Sequence, residues 1–181
     1  MSKTAKKPSE RQIEDATQWI EAAKRLGAAE AKIISPASVI TAPWVRLKCQ
    51  YGCSGWGRRL SCPPHSPTPE QTRKVLDCYQ TAVLVHCPGE GKWRPIKKIV
   101  ADLEREVFLG GHYKALAFGS GPCDLCDECN LEHCLHPQES RPAMEAAGID
   151  VYATARGNGF PIEVVKDHNC PQNYYGLVLI E

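Results

Sequence analysis

The chain has 181 residues, with 22 basic against 21 acidic side chains and a formal net charge of +1. That length fits one domain able to bury a core without leaning on metal for all of its stability, and the balanced charge gives no strong field to favour nucleic acid or an anionic membrane as partner. No apolar run approaches a membrane span, the first ten residues lack the apolar stretch of a secretory signal, and ten cysteines in the expected cytoplasmic, reducing setting point to metal or redox chemistry in place of a disulfide framework.

Residues 1–181 read as a single cysteine-rich metal-binding domain, with 1–8, including Lys3, Lys6 and Lys7, as a solvated tail. Ser9 with Gln12 makes a capping box, and Ile13, Ala16, Ile20 and Ala23 recur at helical spacing until Gly27, which suits a helix stop. Residues 31–40 are rich in β-branched side chains but broken by Pro36, so they read as a strand with an irregular centre or an edge strand. A second short extended piece, 44–48, leads into Cys49, Cys53 and Cys62. Gly52, Gly55 and Gly57 permit the backbone angles of a loop folded tightly around an inorganic ligand. Cys62-Pro63 is similar to the Cys-Pro that ends bacterial ferredoxin runs.

Thr68-Pro69-Glu70-Gln71 opens a second helix, running to about Gln80, with an N-cap, a proline at the first helical position and a capping-box glutamine. Residues 81–86 fit a buried strand, 95–109 put Ile96, Ile99, Val100, Leu103 and Val107 on one helical face, and 114–118 fit another strand. Strand, amphipathic helix, strand is a βαβ unit, so these two strands are expected to lie parallel with a right-handed crossover. Beyond them, 140–148 reads as a short capped helix, 149–155 is ambiguous, Asn158-Gly159 is a turn, and 161–165 and 174–180 read as strands that could add an antiparallel edge. The expected fold class is α/β, with a mixed, partly parallel sheet, flanking helices and two cysteine-rich metal-binding loops.

The second cysteine loop follows Gly119-Ser120-Gly121-Pro122 at the carboxyl end of a strand, the edge where open α/β sheets keep their sites. A dinucleotide fingerprint is excluded there, because the third glycine is missing and Pro122 interrupts the pattern. Cys123, Cys126 and Cys129 stand at successive two-residue gaps before Cys134, so their thiols can turn inward from one short loop. Soft thiolates select zinc, copper(I) or an iron-sulfur cluster. Zinc motifs usually separate cysteine pairs by a long insert, whereas three short gaps and a fourth cysteine match the ferredoxin run, so a 4Fe-4S cluster is the first choice of cofactor and zinc the alternative.

Two such clusters ask for eight thiolates, and Cys49, Cys53, Cys62, Cys123, Cys126, Cys129 and Cys134 supply seven. Cys170, in a polar loop, is the expected eighth; Cys78 in the second helix and Cys87 at a strand end read as small buried hydrophobes. Two other arrangements stay open: a fourth ligand exchanged between the loops, or a site with three protein ligands whose open iron takes a substrate as a Lewis acid. His65, His133 and His136 read as solvated side chains or neighbours that hydrogen-bond a sulfur, His86, His112 and His168 as structural, and Arg141 and Glu145 as groups able to tune a cluster or to form a surface ion pair.

Cys49, Cys53, Cys62-Pro63-Pro64, the run Cys123, Cys126, Cys129 and Cys134, His136-Pro137 and residues 141–151 (RPAMEAAGIDV) together resemble a family of cysteine-rich prokaryotic proteins described as predicted metal-binding proteins. What the resemblance implies is metal binding at an iron-sulfur centre; Cys78, Cys87 and Cys170 are not carried over. The function expected is a cytoplasmic protein that holds one or two 4Fe-4S clusters and exchanges electrons with a partner protein, with neither nucleic acid nor membrane involved. Its rivals are an enzyme that uses an incompletely ligated iron on a small substrate, and a structural or regulatory zinc module.

Overall fold

The computed structural model describes residues 10–89, 94–167 and 170–181; the Ser9 cap, the 1–8 tail and His168 lie outside them. Helix α1, Glu10–Arg25, stops just before Gly27, whose φ of 110° is open to glycine and terminates the helix. Strand β1, Glu30–Ile34, ends where Ser35 caps a 3-10 turn at Pro36–Ser38. Helix α2, Pro43–Gly52, takes the place of the extended piece expected at 44–48. Val45 and Leu47 alternate with Arg46 and Lys48 as strand residues would, but Pro43 at the first helical position pre-sets the helix, and Trp44, Leu47 and Tyr51 form an exposed stripe that hides its period.

Helix α3, Pro69–Leu76, opens on a complete capping box, with the Gln71 N–H donating to Thr68 Oγ1 at 3.2 Å and the Thr68 N–H to Gln71 Oε1 at 2.8 Å. It closes at Leu76, earlier than expected, which leaves Cys78 beyond the helix. Strand β2, Ala82–Gly89, helix α4, Arg94–Leu109, and strand β3, Leu116–Phe118, follow. Residues 140–148 yield only one 3-10 turn, Glu145–Ala147, ended by Gly148 at φ 76°. Asp150 then caps helix α5, Val151–Gly157, by accepting from the Ala153 N–H at 2.9 Å, which resolves the ambiguous stretch in favour of helix. Strand β4, Gln172–Leu179, closes the sheet. Residues 161–165 form no strand; the Pro161 carbonyl accepts from the Tyr175 hydroxyl and the Ile162 carbonyl from Arg156, so side chains use the groups a neighbouring strand would have used.

The strand order is β1-β2-β4-β3 and every pairing is antiparallel. The partly parallel sheet is thereby overturned. β2 and β3 do run the same way across α4, but β4 lies between them: Leu177 pairs with Leu84 on one side and with Phe118 on the other. An eight-residue C-terminal strand matches β2 along its whole length, a longer ladder than the three-residue β3 could offer.

Alternation along the strands divides the core. Val83, Val85, Ala117 and Val178 face α1 and α4, where Ile96, Ile99, Val100, Leu103 and Val107 form the apolar stripe expected of α4. Leu84, Phe118, Tyr175, Leu177 and Leu179 face Leu76, Met144, Ile149 and Ala155. Each large aliphatic side chain sealed in this way contributes roughly 1.5–3 kcal/mol. His86 is buried among them, stacked on Tyr175 at 4.9 Å and joined to Asn173 Oδ1 at 2.7 Å, and His112 meets the edge of Trp19 at 5.8 Å. Among the described residues no helix is long and apolar enough to cross a membrane.

Close packing of α4 on β4 depends on Gly176, where a Cβ would lie 2.5 Å from Val100 Cγ1 and 3.2 Å from the Phe118 carbonyl. Gly176→Ala is expected to destabilise the protein by about 1–3 kcal/mol, read as a lower urea midpoint with an unchanged slope. An unchanged midpoint would show that α4 has room to retreat.

Candidate metal centre

The first cysteine loop grows out of α2. Cys49 lies in the last turn of that helix, and Cys53 caps it by donating its N–H to the Cys49 carbonyl at 3.2 Å. The chain then coils through successive turns, with Cys62 N–H on the Arg59 carbonyl at 3.0 Å and Gly57 N–H on the Pro63 carbonyl at 2.8 Å. Gly55 sits between the sulfurs: a Cβ there would be 3.2 Å from Cys62 Sγ, 3.6 Å from Cys53 Sγ and 3.3 Å from Pro122 of the second loop. Its N–H also reaches Cys53 Sγ at 3.4 Å. A larger residue would therefore press on Cys62 and Pro122 here.

The second loop leaves β3 at Gly119, whose N–H donates to the Pro142 carbonyl at 2.8 Å and whose carbonyl accepts from Met144 N–H at 2.9 Å, closing the loop at its base. Cys123, Cys126, Cys129 and Cys134 line one pocket with Arg59 and Ser61 of the first loop. Arg59 ties the loops together, donating to the Cys126 carbonyl at 2.7 Å and the Asp127 carbonyl at 3.4 Å. Helix α4 holds the same loop at both ends. Lys97 pairs with Asp124 at 2.9 Å and also reaches the Pro122 carbonyl; Glu104 takes Arg141 in a two-pronged pair at 2.6 and 2.8 Å while accepting from Ala117 N–H at 2.8 Å. Arg141 extends to the carbonyls of Pro137 and Ser140, so it anchors the loop's exit and is not a donor to sulfur.

Electrostatic coupling sorts the thiols into two groups. Burial pushes the Cys49 thiol up to about 11, aided by Cys53, Glu145 and Cys62 and opposed by Arg46. Cys126 is raised by burial and then by Cys123, Cys129 and Cys134, with Arg59 opposing. Cys62, 5% exposed, joins the groups: burial raises its pKa, the nearby Ser61 side chain and the Cys123 N–H lower it, and the Cys53 and Cys123 thiols raise it. The Ser61 hydroxyl is itself sealed from solvent and stands outside strict hydrogen-bond geometry. Of the eight expected cysteines, four line one pocket, Cys53 and Cys62 border Gly55, and Cys49 lies 4.0 Å from the Glu145 carbonyl. Cys170 is not placed with them; it precedes β4, with its thiol 3.6 Å from Asp167 Oδ1.

Cys87 is buried in β2 as expected, whereas Cys78 is exposed, its thiol 3.3 Å from the Lys74 carbonyl, which corrects its reading as a buried hydrophobe. His65, His133 and His136 are exposed, His136 bordering the pocket of the second cysteine loop. Glu145 is different: burial raises its pKa against the opposing effect of its own N–H, and Oε2 has no hydrogen-bond partner among the described residues. Also among the described residues, no three His, Cys, Asp or Glu side chains stand close enough to share a single metal ion. Sequence reasoning missed Arg59, Lys97, Glu104 and Ser140, whose hydroxyl lies 3.7 Å from Cys123 Sγ. Arg58-Arg59 among glycines was a usable signal; the polar face of α4 gave none.

A family model described as Predicted metal-binding protein (DUF2284) matches residues 32–180, which take in both cysteine loops. The chain belongs to this family. Searches of curated proteins and of solved structures give no match. In this member of the predicted metal-binding family, the sulfur-rich donor set suits a thiophilic metal and not magnesium or calcium.

The raised Cys49 thiol fixes a sign. Through the interval between its usual value of 9.0 and about 11, the folded metal-free chain keeps a proton that the unfolded chain has lost, so this contribution to stability is complete below 9.0 and disappears as pH rises towards 11. Urea midpoints of metal-free protein are expected to fall over that interval more steeply than those of Cys49→Ser. Parallel curves for the two proteins would contradict the burial of that thiol.

Proposed function

We propose that the chain is an iron-sulfur protein that holds two 4Fe-4S clusters, one on Cys123, Cys126, Cys129 and Cys134 and one on Cys49, Cys53 and Cys62, and that it exchanges electrons with a partner redox protein. The observation that carries this reading is the close approach of the two cysteine loops at Gly55, where Cys53 Sγ, Cys62 Sγ and Pro122, the neighbour of Cys123, all border the space a Cβ would take; clusters on the two loops would then lie side by side.

Spacing supports a cluster over zinc. Cys123, Cys126, Cys129 and Cys134 follow one another at short gaps as in the ferredoxin run, whereas zinc motifs usually separate cysteine pairs by a long insert. A cluster binds each thiolate through a different iron, so its ligands converge without touching. When bound, it supplies reversible one-electron chemistry whose potential follows hydrogen bonding to sulfur and solvent exposure.

The protein's own groups supply those influences. Gly55 N–H to Cys53 and the Ser140 hydroxyl near Cys123 each place a donor on a candidate ligand sulfur, which would favour the more reduced, more negative state. Leu125, Leu131 and Leu135 are exposed around the second loop, and Trp44, Leu47 and Tyr51 project from α2 beside the first. These apolar rims, interspersed with exposed Asp127, Glu128 and Glu132, suit brief docking of a redox partner close to the thiols.

Anaerobically purified protein is expected to carry about eight iron and about eight sulfide per chain, two cubanes' worth. Cys126→Ala and Cys53→Ala should each remove about half of the iron and leave a cluster that dithionite still reduces. Zinc without sulfide would overturn the reading.

A further inference from the structure

The first thiol group is one ligand short of the second, and the expected replacement, Cys170, lies on the approach to β4 against Asp167. We propose that Glu145 is the missing protein ligand of the centre on Cys49, Cys53 and Cys62, its carboxylate binding the iron that no thiol reaches. This deepens the iron-sulfur reading above and rests on it.

Three features of the structure carry the assignment. The first is position. Glu145 opens the 3-10 turn Glu145–Ala147, which packs on α2 with the Glu145 carbonyl 4.0 Å from Cys49 Sγ. The other two thiols of this group close on one another at Gly55, where a Cβ would stand 3.2 Å from Cys62 Sγ and 3.6 Å from Cys53 Sγ, and the charges of Glu145, Cys53 and Cys62 all raise the pKa of Cys49.

The second is rigidity. Ser66 Oγ donates to the Ala146 carbonyl at 2.6 Å and Thr72 Oγ1 to the Ala147 carbonyl at 2.7 Å, while Gly148 N–H returns to the Glu145 carbonyl at 2.9 Å. Gly148, at φ 76°, has Pro69 pressed against the side where a Cβ would stand. The backbone of the turn is thus fastened from α3 and from the first cysteine loop.

The third is the unmet need of the side chain itself. Glu145 Oε2 is sealed and unpartnered among the described residues, and the nearby Arg46 guanidinium is engaged with the Ser66 and Pro67 carbonyls at 3.2 and 2.8 Å. A carboxyl oxygen buried without a partner is unfavourable, and coordination to iron relieves it. On binding, an oxygen lone pair of the carboxylate forms the bond to iron, any proton on the carboxyl leaves to solvent, and no electron changes hands. Oxygen is a harder donor than thiolate, so this iron is held less firmly than its neighbours and is the first to be lost on oxidation.

Variants and labelling of the full-length, anaerobically prepared protein test the assignment. Glu145→Gln, which keeps the shape, is expected to lose about one iron of about eight and to show the paramagnetic signal of a three-iron cluster, while Glu145→Cys regains the iron and Cys170→Ala changes nothing. Where Glu145→Gln does not fold, 13C-labelled glutamate in the unaltered chain supplies the readout: a 13C hyperfine coupling on one reduced cluster supports ligation, and its absence overturns it. A full iron complement in Glu145→Gln, or iron loss in Cys170→Ala instead, also overturns the assignment while leaving the two-cluster reading intact. Unaltered protein without iron or sulfide overturns both.

Discussion

Cys62 of the first loop and Pro122, the neighbour of Cys123 in the second, meet at Gly55 although they lie far apart in the sequence, and the rest of the centre depends on that approach. Thiols do not gather unaided. Burial raises the pKa of Cys49 and Cys126, and neighbouring thiols raise it further, so crowding their charged forms is unfavourable until a metal neutralises them. The fold therefore supplies the force that holds them together. Arg59 reaches the second loop's carbonyls, α4 grips that loop through Lys97 and Glu104, and the absent side chain of Gly55 lets the loops touch.

The sheet explains why α4 is in a position to do this. With β4 inserted between β2 and β3, β3 becomes the edge strand, and the loop after it emerges beside the amino-terminal half of α4. The same helix buries one face on β4 over Gly176 and offers Lys97 and Glu104 along its flank. Core packing and ligand placement are thus linked through one element. The Glu104–Arg141 pair is only 12% and 20% exposed, so its loss would leave a charge in a poorly solvated place as well as free the loop's exit.

Legibility in the sequence followed the range of the interactions. Local signals were read well: the Thr68 box, the stripe on α4 and the strand at 81–86 all stand. Signals that depend on distant partners were not. Two same-direction strands joined by a helix look like a parallel pair until β4, more than 50 residues later, takes the place between them. Residues 44–48 alternate like a strand because the helix they form exposes its apolar stripe. Among the site residues, the spacing of the second run is enough to show that its thiols can converge, since all four come from one loop. The polar loop of Cys170 is visible in the sequence, whereas the buried, unpartnered oxygen of Glu145, whose backbone carbonyl lies 4.0 Å from Cys49 Sγ, is a property of the folded chain that composition and spacing do not carry. Membership of a predicted metal-binding family supports the general chemistry and leaves the metal to be identified.

Anomalous diffraction at the iron edge from crystals grown without oxygen tests the central claim most directly. Two adjacent iron peaks are expected, one enclosed by Cys123, Cys126, Cys129 and Cys134 and the other by Cys49, Cys53, Cys62 and Glu145. A lone peak at the zinc edge, or iron bound away from the junction of Cys62 and Cys123, would contradict it.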